Sequence, residues 1–455
     1  MQSIVLKKAF WIIALTASFL VSTTEAFGQT VVKGNSYSYS SNNNNGTKTI
    51  TVKNGTKDFR IEYEGEITVS DDDKDIIGIS RGGYIEIRKS RFGKRRRLVI
   101  EAESGGRLSK TYYVGRKEVS YDPEGKNWLA QILPDIVRST TIAAESRVDR
   151  FYKKGGANAV MNEVEEMDSD YIKSAYIKLL LKKNLGNKEL VSVLKTTGTE
   201  IKSDYYVSQI LKSNQKAFLA TAQTRDAYID AAASIKSDHY VTQILKTVIN
   251  DSSINDKEMA NLLNITKGIS SAHYLTQTLS SLMDKRELNK ENMATIMSLS
   301  KQIKSDHYRT QILRKALKKT NISKSNYETF LNSLNDIKSD HYTTQVINDL
   351  MVKNMDSNSL SKLLNIVNRN ISSDHYATNI YKKLAKNNNL TDALLIQLIE
   401  SASRSIQSDY YLSTVLIAYS GKAKKSSQKV KDAYSKAAKT MSSDTYFGRA
   451  MKALY

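Results

Sequence analysis

The feature that most constrains this chain is an eleven-residue stretch that recurs down its C-terminal two-thirds. In its clearest copy the sequence is Ile-Lys-Ser-Asp-His-Tyr-Arg-Thr-Gln-Ile-Leu, at residues 303–313. The acidic position of successive copies is spaced by 34 residues six times and then by 35 residues twice. A fixed period of about 20–50 residues is typical of stacked supersecondary units. The chain is therefore predicted to be a repeat protein, with its acidic position at Asp170, Asp204, Asp238, Ala272, Asp306, Asp340, Asp374, Asp409 and Asp444.

Each copy has the features expected at the start of a helix. Ser305 occupies the N-cap position, where its hydroxyl is expected to accept an amide hydrogen bond. Asp306 lies in the first turn, where a carboxylate complements the helix dipole. Tyr308 begins an apolar stripe and is predicted to be a core residue whose hydroxyl reaches a backbone or Asp partner. A second short helix completes the unit, and because such a pair cannot bury both faces alone, successive units are expected to stack.

Two regions precede the repeats. Seven short alternating runs separated by glycines predict a small antiparallel β-domain over residues 47–120. Residues 121–167 are predicted to be a linker and the N-terminal capping helices, and the polar residues 29–46 a flexible segment. The predicted fold class is therefore α+β and multidomain. The β-domain is followed, over residues 168–455, by an α-solenoid of 34-residue helical hairpins similar in scale to tetratricopeptide and HEAT repeats.

The first residues predict export. Lys7 and Lys8 precede an apolar run of 13 residues from Ala9 to Val21, and small and polar residues follow as far as Gly28. This order is typical of a cleaved signal peptide over residues 1–28, because a spanning helix needs about 20 apolar residues. The mature chain is therefore predicted to be periplasmic or extracellular in a bacterium, without an integral membrane span.

The chain is strongly basic, with 68 Lys and Arg against 47 Asp and Glu and a formal net charge of +21. Such a balance favours acidic partners, although export disfavours nucleic acid. The densest positive cluster is predicted to form a hairpin tip. It is either a site for an anionic glycan or lipid head group or an exposed turn whose charge discourages strand pairing. Its cations are Arg88, Lys89, Arg91, Lys94, Arg95, Arg96 and Arg97.

All five histidines directly follow the acidic position. Equivalent positions on neighbouring helices lie about 8–10 Å apart, too far to share a zinc ion, so no metal site is predicted. Each His shares a helix face with the residue four positions later, opposite the stripe that contains Tyr308. These pairs form either a binding surface for a peptide or glycan or a ladder that orders stacking. The candidate residues are His239, Gln243, His273, Gln277, His307, Gln311, His341 and Gln345.

Catalytic motifs are missing from the sequence. The absence of cysteine excludes a thiol nucleophile and disulfides. The one Gly-x-Ser-x-Gly match, at residues 78–82, lies between two predicted strands, whereas a nucleophilic Ser in this motif needs a strand-to-helix turn. There is also no glycine-rich phosphate loop before a helix. The acidic run Asp71–Asp75 is not followed by the Gly at position 6 and the closing Glu at position 12 of a calcium-binding loop. We therefore predict that the protein is not an enzyme and needs no cofactor.

The repeat Ile-x-Ser-Asp-(Tyr/His)-Tyr follows a β-domain that contains Gly82-Gly83-Tyr84-Ile85-Glu86-Ile87. This combination resembles poorly characterised exported bacterial proteins. It is also similar to extracytoplasmic regions of some antirepressor-type metallopeptidases, although the His-Glu-x-x-His motif is absent here. The resemblance implies a regulatory accessory to envelope proteolysis or signalling, without peptidase activity.

The leading prediction is a non-enzymatic interaction or scaffold protein of the bacterial cell envelope, which binds a protein or peptide partner through its repeat surface. Two alternatives stay open. One is the regulatory accessory implied by the resemblance, and the other is a binder of anionic glycan or lipid through the basic hairpin.

Overall fold

The computed structural model describes residues 29–34, 37–44, 46–53, 58–91, 94–251, 253–285, 288–319, 330–351, 357–387 and 390–455. The predicted signal peptide at residues 1–28 lies outside these ranges. The chain divides into two compact units, Met1–Ala231 and Ala232–Tyr455.

The first unit contains an eight-stranded antiparallel sheet and a separate two-stranded hairpin. Neighbouring strands in the sheet follow the order β1-β2-β3-β4-β7-β8-β9-β10, and β5 pairs with β6. The strands are β1 (Gln29–Gly34), β2 (Tyr37–Asn44), β3 (Thr47–Lys53), β4 (Phe59–Glu64), β5 (Ile67–Val69), β6 (Ile76–Ile79), β7 (Tyr84–Arg91), β8 (Lys94–Ala102), β9 (Leu108–Val114) and β10 (Lys117–Val119).

One face of this sheet forms an apolar core because side chains alternate between the two faces of a strand. Ile50, Ile61, Ile87, Leu98 and Tyr112 are successive cross-strand partners, and each is almost completely buried. Such cross-strand pairs are the main unit of sheet stabilisation. Each of the seven predicted strands has its counterpart among β3 to β9, so the predicted β-domain is confirmed.

The first two strands differ from the flexible segment predicted for residues 29–46. β1 pairs with β2 from Gln29↔Asn42 to Gly34↔Tyr37, and β2 pairs with β3 along its length. Polar composition does not prevent this pairing, because the ladder uses backbone N–H and C=O groups that every non-proline residue supplies. A polar, low-complexity composition argues against a buried core, but it does not argue against backbone pairing with a neighbouring strand.

The helices of the first unit follow a single π-helical turn at Tyr121–Gly125. The first two occupy the region predicted to cap the array, and α7 contains the division between the two units. They are α1 (Lys126–Ser139), α2 (Ala144–Glu165), α3 (Asp170–Leu180), α4 (Asn187–Glu200), α5 (Asp204–Ser213), α6 (Gln215–Phe218) and α7 (Ala222–Ala233).

The second unit consists of helical hairpins. Residues 330–334 are helical as well. The remaining helices are α8 (Asp238–Ile249), α9 (Asp256–Thr266), α10 (Ala272–Lys285), α11 (Lys290–Ser300), α12 (Asp306–Lys319), α13 (Asp340–Leu350), α14 (Ser357–Asn370), α15 (Asp374–Ala385), α16 (Asp392–Ser405), α17 (Asp409–Lys424), α18 (Gln428–Ala438) and α19 (Asp444–Leu454).

Stacking in the second unit places equivalent helices side by side. The first helices of successive repeats, α8, α10, α12, α13, α15, α17 and α19, pack in that order, and α9 packs on α11 as α14 packs on α16. Every one of these first helices begins at the acidic position of its repeat. The predicted fold class, a β-domain followed by an α-solenoid, is therefore confirmed. Within the described ranges, no helix combines the length and apolar character required to cross a bilayer.

Candidate functional site

In six repeats, the Asp that opens the first helix accepts hydrogen bonds from the following repeat. One carboxylate accepts hydrogen bonds from two consecutive backbone N–H groups, which for Asp306 are those of Lys338 at 3.0 Å and Ser339 at 2.8 Å. We call this arrangement the Asp clamp. Burial raises the pKa of the Asp170 carboxyl despite its two amide donors. The same pair of amide contacts occurs at Asp170, Asp238, Asp340, Asp374 and Asp409.

The Ser before each Asp does not use its hydroxyl as predicted. Ser339 and Ser373 occupy the N-cap position, but their side chains make no capping hydrogen bond. Their ψ angles are 121° and 118°, whereas side-chain caps form at Asn255 and Thr391, where ψ is 174° and 161°. The backbone N–H of each Ser donates instead to the Asp of the preceding repeat. The predicted hydroxyl cap is therefore wrong for these helices, also at Ser169, Ser203, Ser237, Ser408 and Ser443.

Histidine and tyrosine rings alternate along the second unit. The His307 ring lies edge-on to Tyr308 in its own helix and to Tyr342 in the next repeat, with centroid distances of 5.2 and 5.7 Å. Nδ1 of His307 lies 3.2 Å from the Tyr342 hydroxyl. His239, His273 and His341 make the equivalent contacts with the next tyrosine. The contacts between rings continue through His375, Tyr411, Tyr410 and Tyr446.

This ladder corrects the prediction for the tyrosines. Tyr274, Tyr308, Tyr342 and Tyr376 are half-buried rather than core, and their hydroxyls contact histidines rather than backbone or Asp partners. The His and Tyr positions are not separated on opposite faces, because stacking brings the tyrosine of one helix beside the histidine of the preceding helix. Spacing within a single helix does not contain this information.

The amide side chain four residues after each His completes the network, with Gln at four of these positions and Asn379 after His375. Nε2 of Gln311 lies 3.0 Å from Nε2 of His307, and the equivalent contact occurs at Gln243, Gln277 and Gln345. The eight residues predicted as a candidate partner face therefore belong to one hydrogen-bonded surface, which we call the ladder face. Its geometry can order stacking, and it can also present amide and imidazole groups to a ligand.

Cations fix the orientation of two of these amides. Lys246 Nζ donates to Gln277 Oε1 at 2.6 Å, and Arg314 Nη1 donates to Gln345 Oε1 at 2.9 Å. Because the amide oxygens of these two Gln residues accept from cations, their amide nitrogens donate to Nε2 of His273 and His341. This arrangement favours the tautomer of each ring that carries its proton on Nδ1, which faces a tyrosine hydroxyl.

A groove of about 690 Å³ opens on the ladder face across α10, α12 and α13. The ladder-face residues that line it are His307, Gln311, His341 and Gln345. Charged side chains surround them, with four cations against one carboxylate. We call this the cationic groove, and its charged residues are Asp284, Arg314, Lys315, Lys318 and Lys319.

Only part of the positive charge in the groove is balanced by ion pairs. Arg314 Nε lies 2.7 Å from an Asp349 carboxylate oxygen, and Lys315 Nζ contacts Asp284 at 2.5 Å. Lys318 and Lys319 are exposed, and no ion pair to either occurs within the part of the chain that the structure describes. The groove therefore contains two exposed cations that make no ion pair among the described residues.

The predicted basic hairpin is present, but its cations are divided between faces. β7 and β8 pair as far as Arg91↔Lys94, and residues 92–93, including the predicted Gly93 turn, lie outside the described ranges. Arg88 and Arg97 are cross-strand partners, and both contact Glu86. The seven cations therefore do not form one uniform patch.

The remaining cations of the hairpin differ in environment. Lys89 Nζ lies 4.3 Å from the centre of the Phe59 ring, on the opposite face from Arg88. Lys94, Arg95 and Arg96 make no ion pair with any residue that the structure describes. The available charge is therefore concentrated at the end of the hairpin.

A buried charge cluster in the first unit was not predicted. The Arg147 side chain is 0% exposed, and Nη2 lies 2.7 Å from Asp73 Oδ2 and 2.6 Å from Glu163 Oε1. Arg150 adds a second cation at 2.6 Å from Asp73, and Tyr176 completes the shell through its hydroxyl. The cluster joins the loop between β5 and β6 to α2 and α3. Its members lie up to about a hundred residues apart, so no local motif identifies it.

The cluster holds its two acids in the charged form. Burial alone would raise the pKa of Asp73, but hydrogen bonds and charges from Arg147 and Arg150 outweigh it and lower the pKa below its ordinary value. The pKa of Glu163 is lowered in the same way against burial by Arg138 and Arg147. Asp73, the buried carboxylate of the run Asp71–Asp75, therefore has a structural role, because it connects the loop between β5 and β6 to α2.

The described part of the chain contains no group of three or more His, Asp or Glu side chains placed to hold a metal ion. Neither a scan against models of protein families nor a search of curated proteins found a match for this chain. Function is therefore inferred from the geometry of the surface.

Proposed function

We propose that this protein is a non-enzymatic binding protein of the bacterial cell envelope, and that its repeat surface holds a protein or peptide partner. The observation that carries this proposal is the cationic groove, where His307, Gln311, His341 and Gln345 line an open volume of about 690 Å³. Ligand pockets in proteins commonly measure about 300–1,000 Å³. Solenoid proteins also use the extended surface that stacking creates for binding.

The hydrogen bonding of the histidines favours binding over catalysis. Nδ1 of His307 contacts Tyr342 and Nε2 contacts Gln311, and His341 is engaged in the same way. A general base needs a nitrogen within reach of the substrate proton. Because both ring nitrogens already have partners, these side chains are suited to hold a surface in place.

Photo-crosslinking tests the binding proposal. A photoreactive residue replaces Gln311, which is exposed and lines the groove, and a control replaces Lys436, which is exposed on α18. We expect a recurrent protein adduct at Gln311 that is absent at Lys436 and is competed by unlabelled protein. The same adducts at both positions, or none at Gln311, would contradict the proposal.

Envelope location is proposed from the sequence of residues 1–28. Mass spectrometry of the protein recovered from a bacterial host is expected to show a mature start at Phe27 or Gln29, after removal of the preceding residues. A chain that retains Met1 would contradict the predicted cleavage of a signal peptide.

A second candidate function is supported by the cations at the end of the β7–β8 hairpin. We propose as an alternative that Lys94, Arg95 and Arg96 bind an anionic glycan or lipid head group. Replacing Lys94, Arg95 and Arg96 by Gln is expected to weaken retention on anionic vesicles or oligosaccharide at low salt. The matched control replaces the exposed Lys424, Lys425 and Lys436. Equal retention of both variants would contradict this alternative.

A further inference from the structure

We infer that the partner of the cationic groove presents an acidic, extended peptide segment, whose carboxylates are bound by Lys318 and Lys319. This inference rests on the proposed function and specifies its ligand. It is based on the positive charge of the groove, on the Gln311 amide oxygen without a donor among the described residues, and on the distance between successive repeats.

The charge of the groove is local to α12. Four cations at Arg314, Lys315, Lys318 and Lys319 line it with a single carboxylate from Asp284. At the positions equivalent to Lys315 and Lys318, α10 carries Ser281 and Asp284 instead. Repetition of the unit therefore does not account for Lys315 and Lys318, whereas Lys319 corresponds to Lys285 on α10. Lys318 and Lys319 make no ion pair among the described residues and can accept a carboxylate.

One amide in the groove has an open acceptor. Arg314 occupies Oε1 of Gln345, as Lys246 occupies that of Gln277. Gln311 contacts His307 through Nε2, and among the described residues no donor reaches its Oε1. A backbone N–H of a bound peptide can donate to this oxygen, because every non-proline residue supplies one such group.

The spacing of the repeats suits an extended chain. Packed helices lie about 8–10 Å apart, and an extended peptide advances about 3.3–3.6 Å per residue. A peptide along the ladder face therefore passes one repeat about every three residues. A segment of about nine residues can contact Gln311 while its acidic side chains reach Lys318 and Lys319.

Fluorescence anisotropy with defined peptides tests this inference on the purified chain. The probe is a labelled peptide of about nine alternating Glu and Ser residues, and its control contains Gln in place of Glu. We expect only the Glu peptide to bind. Its affinity is expected to fall about tenfold or more between about 0.1 and 1 M salt, over which the Debye length shortens from about 10 to 3 Å.

The decisive comparison uses two matched double variants. Lys318→Glu/Lys319→Glu is expected to weaken binding about tenfold, because two attractive charges become repulsive. Lys424→Glu/Lys425→Glu makes the same change at exposed lysines at the end of α17 and is expected to leave affinity within about twofold. Circular dichroism should show equal helicity in both variants.

Three results would overturn the inference. They are no binding of the Glu peptide, equal weakening by both variants, and tighter Lys318/Lys319-dependent binding of an anionic oligosaccharide or vesicle. The binding proposal itself is tested separately. A Gln311 adduct that persists in the Lys318→Glu/Lys319→Glu variant leaves that proposal standing while the acidic-peptide inference fails.

Discussion

In six repeats, an Asp carboxylate accepts hydrogen bonds from two backbone N–H groups of the next repeat and so joins the two repeats. Hydrogen bonds to a charged group contribute about 1.5–3 kcal/mol each, and an amide left without an acceptor at a joint is costly. In the Asp clamp the negative charge also lies in the first turn of its own helix, where the dipole favours it. One side chain therefore stabilises two consecutive repeats.

Removing one Asp clamp separates the effect of its amide hydrogen bonds from the effect of its charge on the helix dipole. Asp306→Ala is expected to lower the free energy of unfolding of the second unit by about 1.5–3 kcal/mol, the contribution of one such hydrogen bond. The part-buried Ser339 amide loses its acceptor, whereas the exposed Lys338 amide can bond to water instead. Asp444→Ala is the control, since Asp444 is exposed and its carboxylate accepts no such amides in the described residues. There only the dipole effect of about 0.3–1 kcal/mol is lost. Urea denaturation followed by circular dichroism measures both, and equal losses would contradict the clamp.

The repeat that begins at Ala272 lacks the clamp. No carboxylate takes the place of Asp against the amides of Lys304 and Ser305 in the described structure. The buried Arg309 spans this region, donating to the carbonyls of Ser300, Lys301 and Asp336 at 2.8–3.1 Å. These contacts satisfy carbonyls at the ends of helices, which otherwise have no partner. Arg309 therefore provides a different connection where the carboxylate is missing.

Restoring the clamp at this joint is expected to stabilise the chain. Ala272→Asp should raise the free energy of unfolding by about 0.5–1.5 kcal/mol, through acceptance from the Lys304 and Ser305 amides. Ala272→Glu carries the same charge at the helix start but displaces the carboxylate by one methylene, so it tests the dipole effect alone. Urea denaturation of both variants decides between the two effects, and equal stabilisation would contradict restoration of the clamp.

The residue scale also shows the limit of sequence reasoning. The Asp column was visible, but the donors to Asp306 are backbone amides 32 and 33 residues away, and backbone groups have no signature in a sequence. The Ser hydroxyl cap was inferred from composition, whereas ψ near 120° turns the hydroxyl away from that role. The sequence shows which residues recur and at which helix position, but it does not show which groups their side chains contact.

At the scale of elements, the cluster of Asp73, Arg147 and Glu163 fastens a loop of the β-domain to α2. Taking charges out of water is costly, and removal of one member leaves the others uncompensated. The strands β3 to β9 and the helices that open the repeats were predictable from local periodicity, whereas β1 and β2 were not. The connection between them was not, because it depends on side chains that meet only after folding.

The acid dependence of stability follows from the lowered pKa values of Asp73 and Glu163. Their contribution is complete above their ordinary pKa values of 3.8 and 4.5, and it is lost as the pH falls through the lower folded values. We therefore expect the free energy of unfolding of the first unit to decline below about pH 4. The fluorescence of the buried Trp128 reports this unit during urea unfolding.

The variant Asp73→Asn provides the control for this dependence. At pH 7 it is expected to lose about 3–5 kcal/mol, because Arg147 keeps a buried charge with one acid fewer. The difference from the wild type should narrow as the pH falls below about 4. The Asp73 carboxylate of the unfolded chain takes up a proton near its ordinary pKa of 3.8, and that of the folded chain does so only at a lower pH. A difference that stays constant over this range would show that the charge of Asp73 does not stabilise the fold.

At the scale of the whole molecule, the period was the most informative part of the sequence. It gave the repeat unit and the start of each first helix. The cationic groove was not predicted, because it requires Lys318 and Lys319 on one helix to lie beside Gln345 on the next. A period identifies equivalent positions in successive repeats. It does not show which side chains at non-equivalent positions become neighbours.

Deletion of a complete repeat tests whether the joints are interchangeable. Removal of the 34 residues 272–305 joins Ser271 to Asp306 and retains the Asp238 clamp on Ser270 and Ser271. We expect the shortened chain to fold with unchanged helicity per residue and cooperative unfolding, because each repeat contacts only its neighbours. Removal of the 17 residues 289–305 deletes only the second helix of that repeat and is expected to abolish cooperative unfolding. Similar behaviour of both deletions would contradict interchangeable joints.

The Asp clamp has a consequence for how such a surface can change. Its acceptor is one carboxylate and its donors are main-chain amides, so the joint makes no demand on the side chains of the ladder face. A substitution at Lys318 or Lys319 can alter what one repeat recognises without disturbing the connection to the next. Repeats with new surface residues could be inserted into the array in any order, and the specificity of a bound chain would then be assembled about three residues at a time.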